Sequence, residues 1–219
     1  MSLFENIQIT PSILSADFTC LKKQLDILRK ENIDIIHLDI MDGHFVPNIS
    51  FGPEISGQIQ RAYPEILLEA HLMITDPNKY IPFFIKEGIR AFSLHAEINP
   101  DLKSLKAIYK DILLGIAINP DTDYEKLMPY AEIADWFLIM SVQPGFGGQK
   151  FNEKVLEKVK KLRKNPVTKN KPIQVDGGIN IDNIREVKEA GANLFVVGSA
   201  LVKAASIENY LEKLRNHIK

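Results

Sequence analysis

Short apolar segments alternate with segments of helical periodicity along the whole chain, and this alternation restricts the possible folds more than any other feature. Eight apolar segments read as strands, each followed by a segment that reads as a helix or a helix start. Repeated β-then-α units produce a parallel sheet covered by helices. The predicted strands span residues 7–14, 33–40, 66–73, 91–95, 112–118, 136–142, 173–175 and 194–197.

Eight such units are the number that closes a (β/α)8 TIM barrel, and 219 residues lie at the short end for that fold. The alternative, a doubly wound open sheet, usually carries a glycine-rich turn after its first strand. Here the first strand runs into Pro11-Ser12-Ile13-Leu14-Ser15, without glycine. We therefore predict an α/β fold, a (β/α)8 TIM barrel. No linker divides the chain, so we predict a single domain of residues 1–219.

Four local signals make predictions about individual helices. Asp17 is expected to cap a helix whose apolar face begins at Phe18. Ile55 and Ile59 are expected to face inward from the helix after the second strand. Thr122-Asp123-Tyr124-Glu125 has the form of a capping box, and Pro82 should shorten or kink its helix.

Composition and charge exclude several classes of partner. The net charge is -1, which gives no electrostatic basis for binding nucleic acid or an acidic membrane. No segment is long and apolar enough to span a membrane, and the N-terminus lacks a signal-peptide core. Cys20 is the only cysteine, so no intrachain disulfide is possible. We expect a cytoplasmic protein with no nucleic-acid partner and no membrane association.

Residues with catalytic potential fall at the carboxyl ends of three predicted strands, where TIM barrels place their active sites. His37 and Asp39 end the second strand and share one face, because alternate strand residues point the same way. His71 ends the third strand and Asp176 the seventh. One such residue alone is more often structural. Two imidazoles and two carboxylates at one mouth instead predict a metal site with nitrogen and oxygen ligands.

Other residues near the same strand ends are interpreted differently. His44 lies beyond the second strand and His95 has no obvious carboxylate neighbour, so both are placed outside the metal ligands. Methionine is usually core filler, but three at strand ends would give an apolar lining over the metal. These are Met41, Met73 and Met140.

Three glycine clusters follow the sixth, seventh and eighth strands. Glycine lets backbone N–H groups approach an anion closely, and barrels often bind phosphate after strands seven and eight. Each cluster alone is a weak signal, because glycine also simply turns the chain. Together they predict a phosphate site, and hence a small phosphorylated substrate. The clusters are Gly145-Phe146-Gly147-Gly148, Gly177-Gly178 and Gly198-Ser199.

Taken together, these residues resemble the ribulose-phosphate 3-epimerase family along essentially the whole chain. The resemblance implies a TIM barrel of the ribulose-phosphate-binding type. It also implies an isomerase of the pentose phosphate pathway that interconverts D-ribulose 5-phosphate and D-xylulose 5-phosphate through an enediolate. The matching segments are Pro11-Ser12-Ile13-Leu14-Ser15-Ala16-Asp17, residues 37–48, His71-Leu72-Met73, residues 144–150, Asp176-Gly177-Gly178 and Gly198-Ser199.

The resemblance further implies roles for individual residues. The catalytic acid and base would be Asp39 and Asp176, and one divalent metal ion per subunit would be held by His37, Asp39, His71 and Asp176. Zn²⁺ or Fe²⁺ is expected, with Mn²⁺ or Co²⁺ possible, in a homo-oligomer that acts on a small-molecule sugar phosphate. The implied substrate-binding residues are Ser12, His71, Gly145, Phe146, Gly147, Gly148, Gly177, Gly178, Gly198 and Ser199.

Three other functions are weighed against this one. An allulose 6-phosphate epimerase is disfavoured, because residues 12–17 and 176–179 resemble the five-carbon enzyme. A phosphosugar lyase or decarboxylase would carry Asp-x-Lys-x-x-Asp, whereas Ile40 and Met41 follow Asp39 here. A non-catalytic sugar-phosphate sensor would not need both carboxylates and both histidines.

Overall fold

All eight predicted strands are present in the computed structural model, which describes residues 3–219. The strands are β1 Gln8–Pro11, β2 Ile35–Met41, β3 Leu67–Met73, β4 Ala91–His95, β5 Leu113–Ile118, β6 Trp136–Met140, β7 Ile173–Asp176 and β8 Leu194–Val197. They form one parallel sheet in the hydrogen-bonded order β1-β8-β7-β6-β5-β4-β3-β2. A parallel bridge between Ser12 and His37 joins its two edges. The sheet is therefore nearly closed into a barrel, and the predicted fold class is confirmed.

Helices connect the strands as a (β/α)8 fold requires. After β5 the connection is a 3-10 helix, Tyr124–Tyr130, instead of an α-helix. Other short 3-10 helices are Leu3–Glu5, Ala96–Ile98 and Glu153–Val155. The α-helices are α1 Leu21–Lys30, α2 Pro53–Ala62, α3 Pro77–Lys86, α4 Leu102–Ile108, α5 Leu156–Lys164, α6 Ile184–Glu189, α7 Ser199–Val202 and α8 Ile207–His217. None of the helices within residues 3–219 is long and apolar enough to cross a membrane.

Strand side chains alternate between the helices outside and the interior of the barrel. In β2, Ile36, Leu38 and Ile40 join the large core between sheet and helices. A separate apolar cluster fills the interior at the end where the strands begin, and it leaves the polar residues to the opposite end. This lower cluster comprises Phe4, Ile35, Ala91, Trp136 and Leu194.

The first helix begins later than predicted. Asp17 does not cap it, because α1 begins at Leu21 and the Asp17 carboxylate accepts a hydrogen bond from the backbone N–H of Thr19 at 2.9 Å. Phe18 therefore lies before the helix and is exposed. The prediction that Phe18 starts the buried face is wrong, because the short turn at Asp17 displaces the helix start.

The inward face of α2 confirms the prediction for Ile59 but not the one for Ile55. Ile55 is exposed, whereas Ser56, Gly57 and Ile59 are buried. A Cβ on Gly57 would lie 2.1 Å from a Glu87 oxygen, so α2 packs closely against the end of α3 at this point. Ser56 and Gly57, instead of Ile55, hold the buried positions beside Ile59.

Neither the predicted capping box nor the predicted shortening at Pro82 is observed. The capping box is not formed: the Thr122 hydroxyl donates to Glu97, and the helix Tyr124–Tyr130 has no side-chain cap. Pro82 does not shorten α3, which continues to Lys86. The proline removes only the hydrogen bond that the carbonyl four residues earlier would accept.

Candidate active site

The four predicted metal ligands meet at the mouth of the barrel. His37 and Asp39 lie on β2, His71 lies on β3, and Asp176 ends β7. One nitrogen or oxygen atom of each lies within 4.8 Å of the others, and all four residues are buried. They converge because the carboxyl ends of the strands face one mouth and alternate residues point inward.

The spacing of these atoms fits a divalent metal ion. His37 Nε2 lies 3.3 Å from His71 Nδ1, 3.4 Å from Asp39 Oδ1 and 3.6 Å from Asp176 Oδ2. His71 Nδ1 lies 3.5 Å from Asp39 Oδ1 and 3.6 Å from Asp176 Oδ2. These are five of the six edges of a ligand tetrahedron, and the centre of a regular tetrahedron with edges of this length lies about 2 Å from each corner, which is the usual Zn–N and Zn–O bond length. The buried cluster can therefore hold a metal.

His37 is oriented by a carboxylate that the sequence analysis did not identify. Its Nδ1 contacts Glu69 Oε2, and both side chains are fully buried. Glu69 also accepts hydrogen bonds from the Ser93 hydroxyl and, at 3.3 Å, from Gln174 Nε2. A carboxylate on the far nitrogen of a metal-binding histidine fixes its tautomer and leaves the near nitrogen free for the metal. The sequence alone does not reveal that Glu69 contacts His37, because the register of the two strands determines which residues lie opposite each other.

His95 has a carboxylate neighbour after all, which corrects the interpretation from sequence. His95 Nδ1 lies 3.2 Å from Glu97 Oε2, and His95 Nε2 lies 2.8 Å from His71 Nε2. Burial lowers the pKa of His95 to about 4, so its imidazole is neutral at pH 7. His95 thus contacts a candidate ligand without being one. His44 lies outside the cluster, as predicted, with its backbone N–H bonded to Asp42 at 2.8 Å.

Opposite charges stabilise the ionised carboxylates in this buried site. Burial alone would raise the pKa of Asp39, but His37 and His71 outweigh it and hold that pKa below its usual value. Burial and the charge of Asp39 also raise the pKa of Asp176, and hydrogen bonds with both histidines again lower it. Burial lowers the pKa of His37, whereas the charges of Glu69 and Asp39 raise it well above its usual value. The cluster therefore requires positive charge, which a divalent cation bound there would supply.

A cavity opens directly onto the two aspartates. All the predicted site residues except His37 and His71 line it, and these two lie buried beside it. The lining residues among the predictions are Ser12, Asp39, Met41, Met73, Met140, Gly145, Phe146, Gly147, Gly148, Asp176, Gly177, Gly178, Gly198 and Ser199. The structure thus brings the candidate metal site, the methionines and the three glycine clusters together.

The methionines and Ser12 shape the floor of this cavity. Met41 and Met73 pack with Val46, and Met140 packs in a separate cluster. Ser12 donates a 2.6 Å hydrogen bond to Asp39 Oδ2, the oxygen that does not face the histidines. A short bond to a carboxylate is a strong one, so Ser12 fixes the orientation of Asp39.

Close packing explains two of the glycines. Gly177 has φ +110°, and a Cβ there would lie 2.5 Å from Val142 Cγ2. Gly178 has φ +65°, and a Cβ there would lie 2.6 Å from the backbone nitrogen of Phe151. Both positions therefore require glycine for the backbone itself, whatever else they bind.

A hydrogen bond holds the loop after β6 across the mouth of the barrel. Asn48 Nδ2 donates to the Gly145 carbonyl at 2.6 Å.

Comparison with known proteins assigns this chain to a family. The model of the ribulose-phosphate 3 epimerase family matches residues 8–202. The chain belongs to the ribulose-phosphate 3-epimerase family. The resemblance found in the sequence is therefore confirmed, and with it the prediction of an isomerase of this family.

Individual relatives agree with the family assignment. A ribulose-phosphate 3-epimerase of Bacillus subtilis (strain 168) is 41% identical over 214 residues, with 95% of this chain and 98% of the relative covered. The protein of Oryza sativa subsp. japonica named as the cytoplasmic isoform of ribulose-phosphate 3-epimerase is 37% identical, with 96% and 94% covered. A solved structure of 3-hexulose-6-phosphate synthase from Salmonella typhimurium has a TM-score of 0.69 at 16% identity, with 96% of this chain and 98% of that chain covered. This last likeness supports the fold alone.

Proposed function

We propose that the chain interconverts D-ribulose 5-phosphate and D-xylulose 5-phosphate by removing the C3 proton and returning it on the other face. The observation that carries this proposal is the pair of aspartates that lines a glycine-rich cavity and belongs to one buried four-residue cluster. Family membership supports the same reaction.

We also propose that His37, Asp39, His71 and Asp176 hold one divalent metal ion per subunit. When bound there, the ion would polarise the C2 carbonyl and stabilise the negative charge of the enediolate. The mixed nitrogen and oxygen donors suit Zn²⁺ or Fe²⁺, with Mn²⁺ or Co²⁺ as alternatives.

The two aspartates perform the proton transfers in this proposal. Asp39 projects from β2 and Asp176 from β7, which are separated by β1 and β8 around the barrel. One carboxylate removes the C3 proton, and the other delivers a proton to the opposite face, as inversion requires. The hydrogen bond from Ser12 keeps one Asp39 oxygen oriented at the cavity.

The glycine clusters hold the phosphate in this proposal. Backbone N–H groups of the clusters at 145–148, 177–178 and 198–199 would contact the phosphate oxygens, with Phe146 in the loop over the substrate. The phosphate then anchors the sugar so that C3 faces both carboxylates. Methionines 41, 73 and 140 provide an apolar surface that limits the access of water to the enediolate.

A lyase or decarboxylase mechanism lacks its lysine in this site. Met41 occupies the position two residues after Asp39, and its side chain is buried. For the remaining properties we propose one domain of residues 1–219, a cytoplasmic location, a homo-oligomer, and no nucleic-acid or membrane partner.

Metal removal and activity test this proposal together. Exhaustive chelation should abolish turnover of ribulose 5-phosphate in a coupled assay, and re-addition of a divalent ion should restore it. His71→Ala should lower the measured metal content, whereas His217→Ala, at the end of α8, should leave it unchanged. Full activity of a verified metal-free preparation would refute the metal site. No turnover by the metal-loaded enzyme would refute the reaction.

A further inference from the structure

A chain of hydrogen bonds leads from the candidate metal site to the loop after β5. His71 Nε2 lies 2.8 Å from His95 Nε2, and His95 Nδ1 lies 3.2 Å from Glu97 Oε2. The ring centroids are 5.0 Å apart and the ring planes differ by 19°, which together with the short contact between the two Nε2 atoms places each nitrogen close to the plane of the other ring. His71 and His95 are fully buried, so no solvent competes for the bond between them, whereas the Glu97 side chain is partly exposed.

The direction of each bond follows from proton counting. His71 Nδ1 faces the other three ligand atoms, so it must present a lone pair to bind a metal. The neutral His71 ring then carries its proton on Nε2 and donates it to His95 Nε2. His95 Nε2 must accept, which places the His95 proton on Nδ1, where it is donated to Glu97.

Glu97 sets this direction because a carboxylate can only accept. Its Oε1 accepts the backbone N–H of Asn119 at 2.7 Å and the hydroxyl of Thr122. Its Oε2 is therefore the acceptor for His95. The ring of Phe45 lies 4.6 Å from that of His95 and helps to fix its orientation.

We propose that Glu97 is a positioning residue that acts through His95 to hold His71 in the tautomer whose Nδ1 can bind the metal. This inference rests on the proposed metal site. Glu69 has the corresponding role for His37, but it contacts that ligand directly, whereas Glu97 acts from two side chains away. Carboxylate partners of metal-binding histidines typically strengthen metal binding by about 10- to 100-fold.

Glu97→Gln provides a sharp test because it keeps the shape of the side chain and reverses the direction of its hydrogen bond with His95. The backbone N–H of Asn119 and the hydroxyl of Thr122 hold the amide oxygen on their side, so the amide NH₂ faces His95 Nδ1. His95 must then accept at Nδ1 and carry its proton on Nε2. That proton faces His71 Nε2 and forces the His71 proton onto Nδ1, the metal-binding atom.

The affinity for Zn²⁺ should therefore fall by about 10- to 100-fold in Glu97→Gln. We would measure it by competition with a chromophoric chelator on the full-length protein, after checking that the variant melts cooperatively. Thr122→Val is the matched control, because it removes another partner of the same carboxylate and leaves the contact with His95 in place. Its affinity for Zn²⁺ should match that of the wild type.

Nitrogen-15 NMR of the histidine rings reads the tautomers directly. In the wild-type protein loaded with Zn²⁺, His95 should carry its proton on Nδ1 and His71 on Nε2. A His95 proton on Nε2 in the wild type would overturn the inference, and this measurement needs no variant. Unchanged Zn²⁺ affinity in folded Glu97→Gln would overturn it as well, with the metal site intact. A wild-type protein that binds no Zn²⁺ would refute the proposed metal site and this inference with it.

Discussion

Gly198→Val tests the phosphate site with little disturbance of the fold. Gly198 follows β8, and a Cβ there would lie 3.6 Å from Ser12 Cβ and 3.8 Å from Ser12 Oγ. Both are ordinary contact distances, so the first added atom fits. Gly198 and Ser12 both line the cavity, so we expect the remaining atoms of valine to project into the cavity instead of the core.

The size of the effect follows from the contacts that the phosphate would lose. One hydrogen bond to a charged group contributes about 1.5–3 kcal/mol, which corresponds to about 10- to 150-fold in kcat/KM. We expect most of this loss in KM, because the phosphate is remote from the C3 proton and its contacts persist throughout the reaction. Gly198→Ala should change KM in the same direction but by less.

A coupled assay on ribulose 5-phosphate gives kcat and KM for each variant. Gly52→Ala is the matched control, because a Cβ there meets nothing within 4 Å and Gly52 does not line the cavity. Its KM should equal that of the wild type. Unphosphorylated ribulose should be a poor substrate for all of them. An unchanged KM in a folded Gly198→Val variant would refute the phosphate site at this cluster.

Two further predictions concern the carboxylates. Asp39→Asn and Asp176→Asn should each lower kcat by about 10²- to 10⁴-fold. In heavy water, early wild-type product should carry deuterium at C3 while the remaining substrate carries little. Asp42 accepts backbone N–H bonds from Thr75, Phe45 and His44, and although burial alone would raise its pKa, these bonds lower it to about 2. Because that pKa is depressed on folding, the stabilisation from Asp42 is present above about pH 4 and is lost as the pH falls toward 2. Asp42→Asn should therefore reduce the free energy of unfolding more at pH 7 than at pH 3, as measured by urea denaturation.

Each of these predictions has a contradicting result. Early product that keeps the hydrogen of the substrate at C3 would refute the two-base assignment, unless the proton passes directly between the acids. The metal content of both asparagine variants must be measured, since both residues are candidate ligands. An equal loss of stability at both pH values would mean that Asp42 acts through shape instead of charge.

Strand positions could be predicted from the sequence because burial on both faces gives short, nearly continuous apolar runs. The runs at 91–95 and 194–197 match β4 and β8 as observed, and the others differ by a few residues at their ends. The candidate site could be predicted equally well, because the carboxyl ends of parallel strands in a barrel all face one mouth. His37 and Asp176 could therefore be grouped without knowing any side-chain contact.

The supporting carboxylates could not be predicted in the same way. Glu69 reaches His37 because β2 and β3 pair in a register that places the two residues side by side. Glu97 reaches His95 from a 3-10 helix, and it also takes the hydroxyl of Thr122 that the sequence assigned to a capping box. Such contacts override local signals because a buried or partly buried carboxylate takes hydrogen bonds from whichever donors are near.

The lower cluster allows tryptophan fluorescence to report on one end of the barrel. Trp136 is the only tryptophan in the chain, and its ring stacks on Phe4 at 4.4 Å between centroids. It begins β6, and Met140, at the cavity, ends the same strand about 13 Å away at the usual rise per residue. Indole emission therefore reports whether the N-terminal segment still packs against the lower cluster. Enzyme turnover reports on the opposite end, so denaturation followed by both signals would show whether the two ends open together.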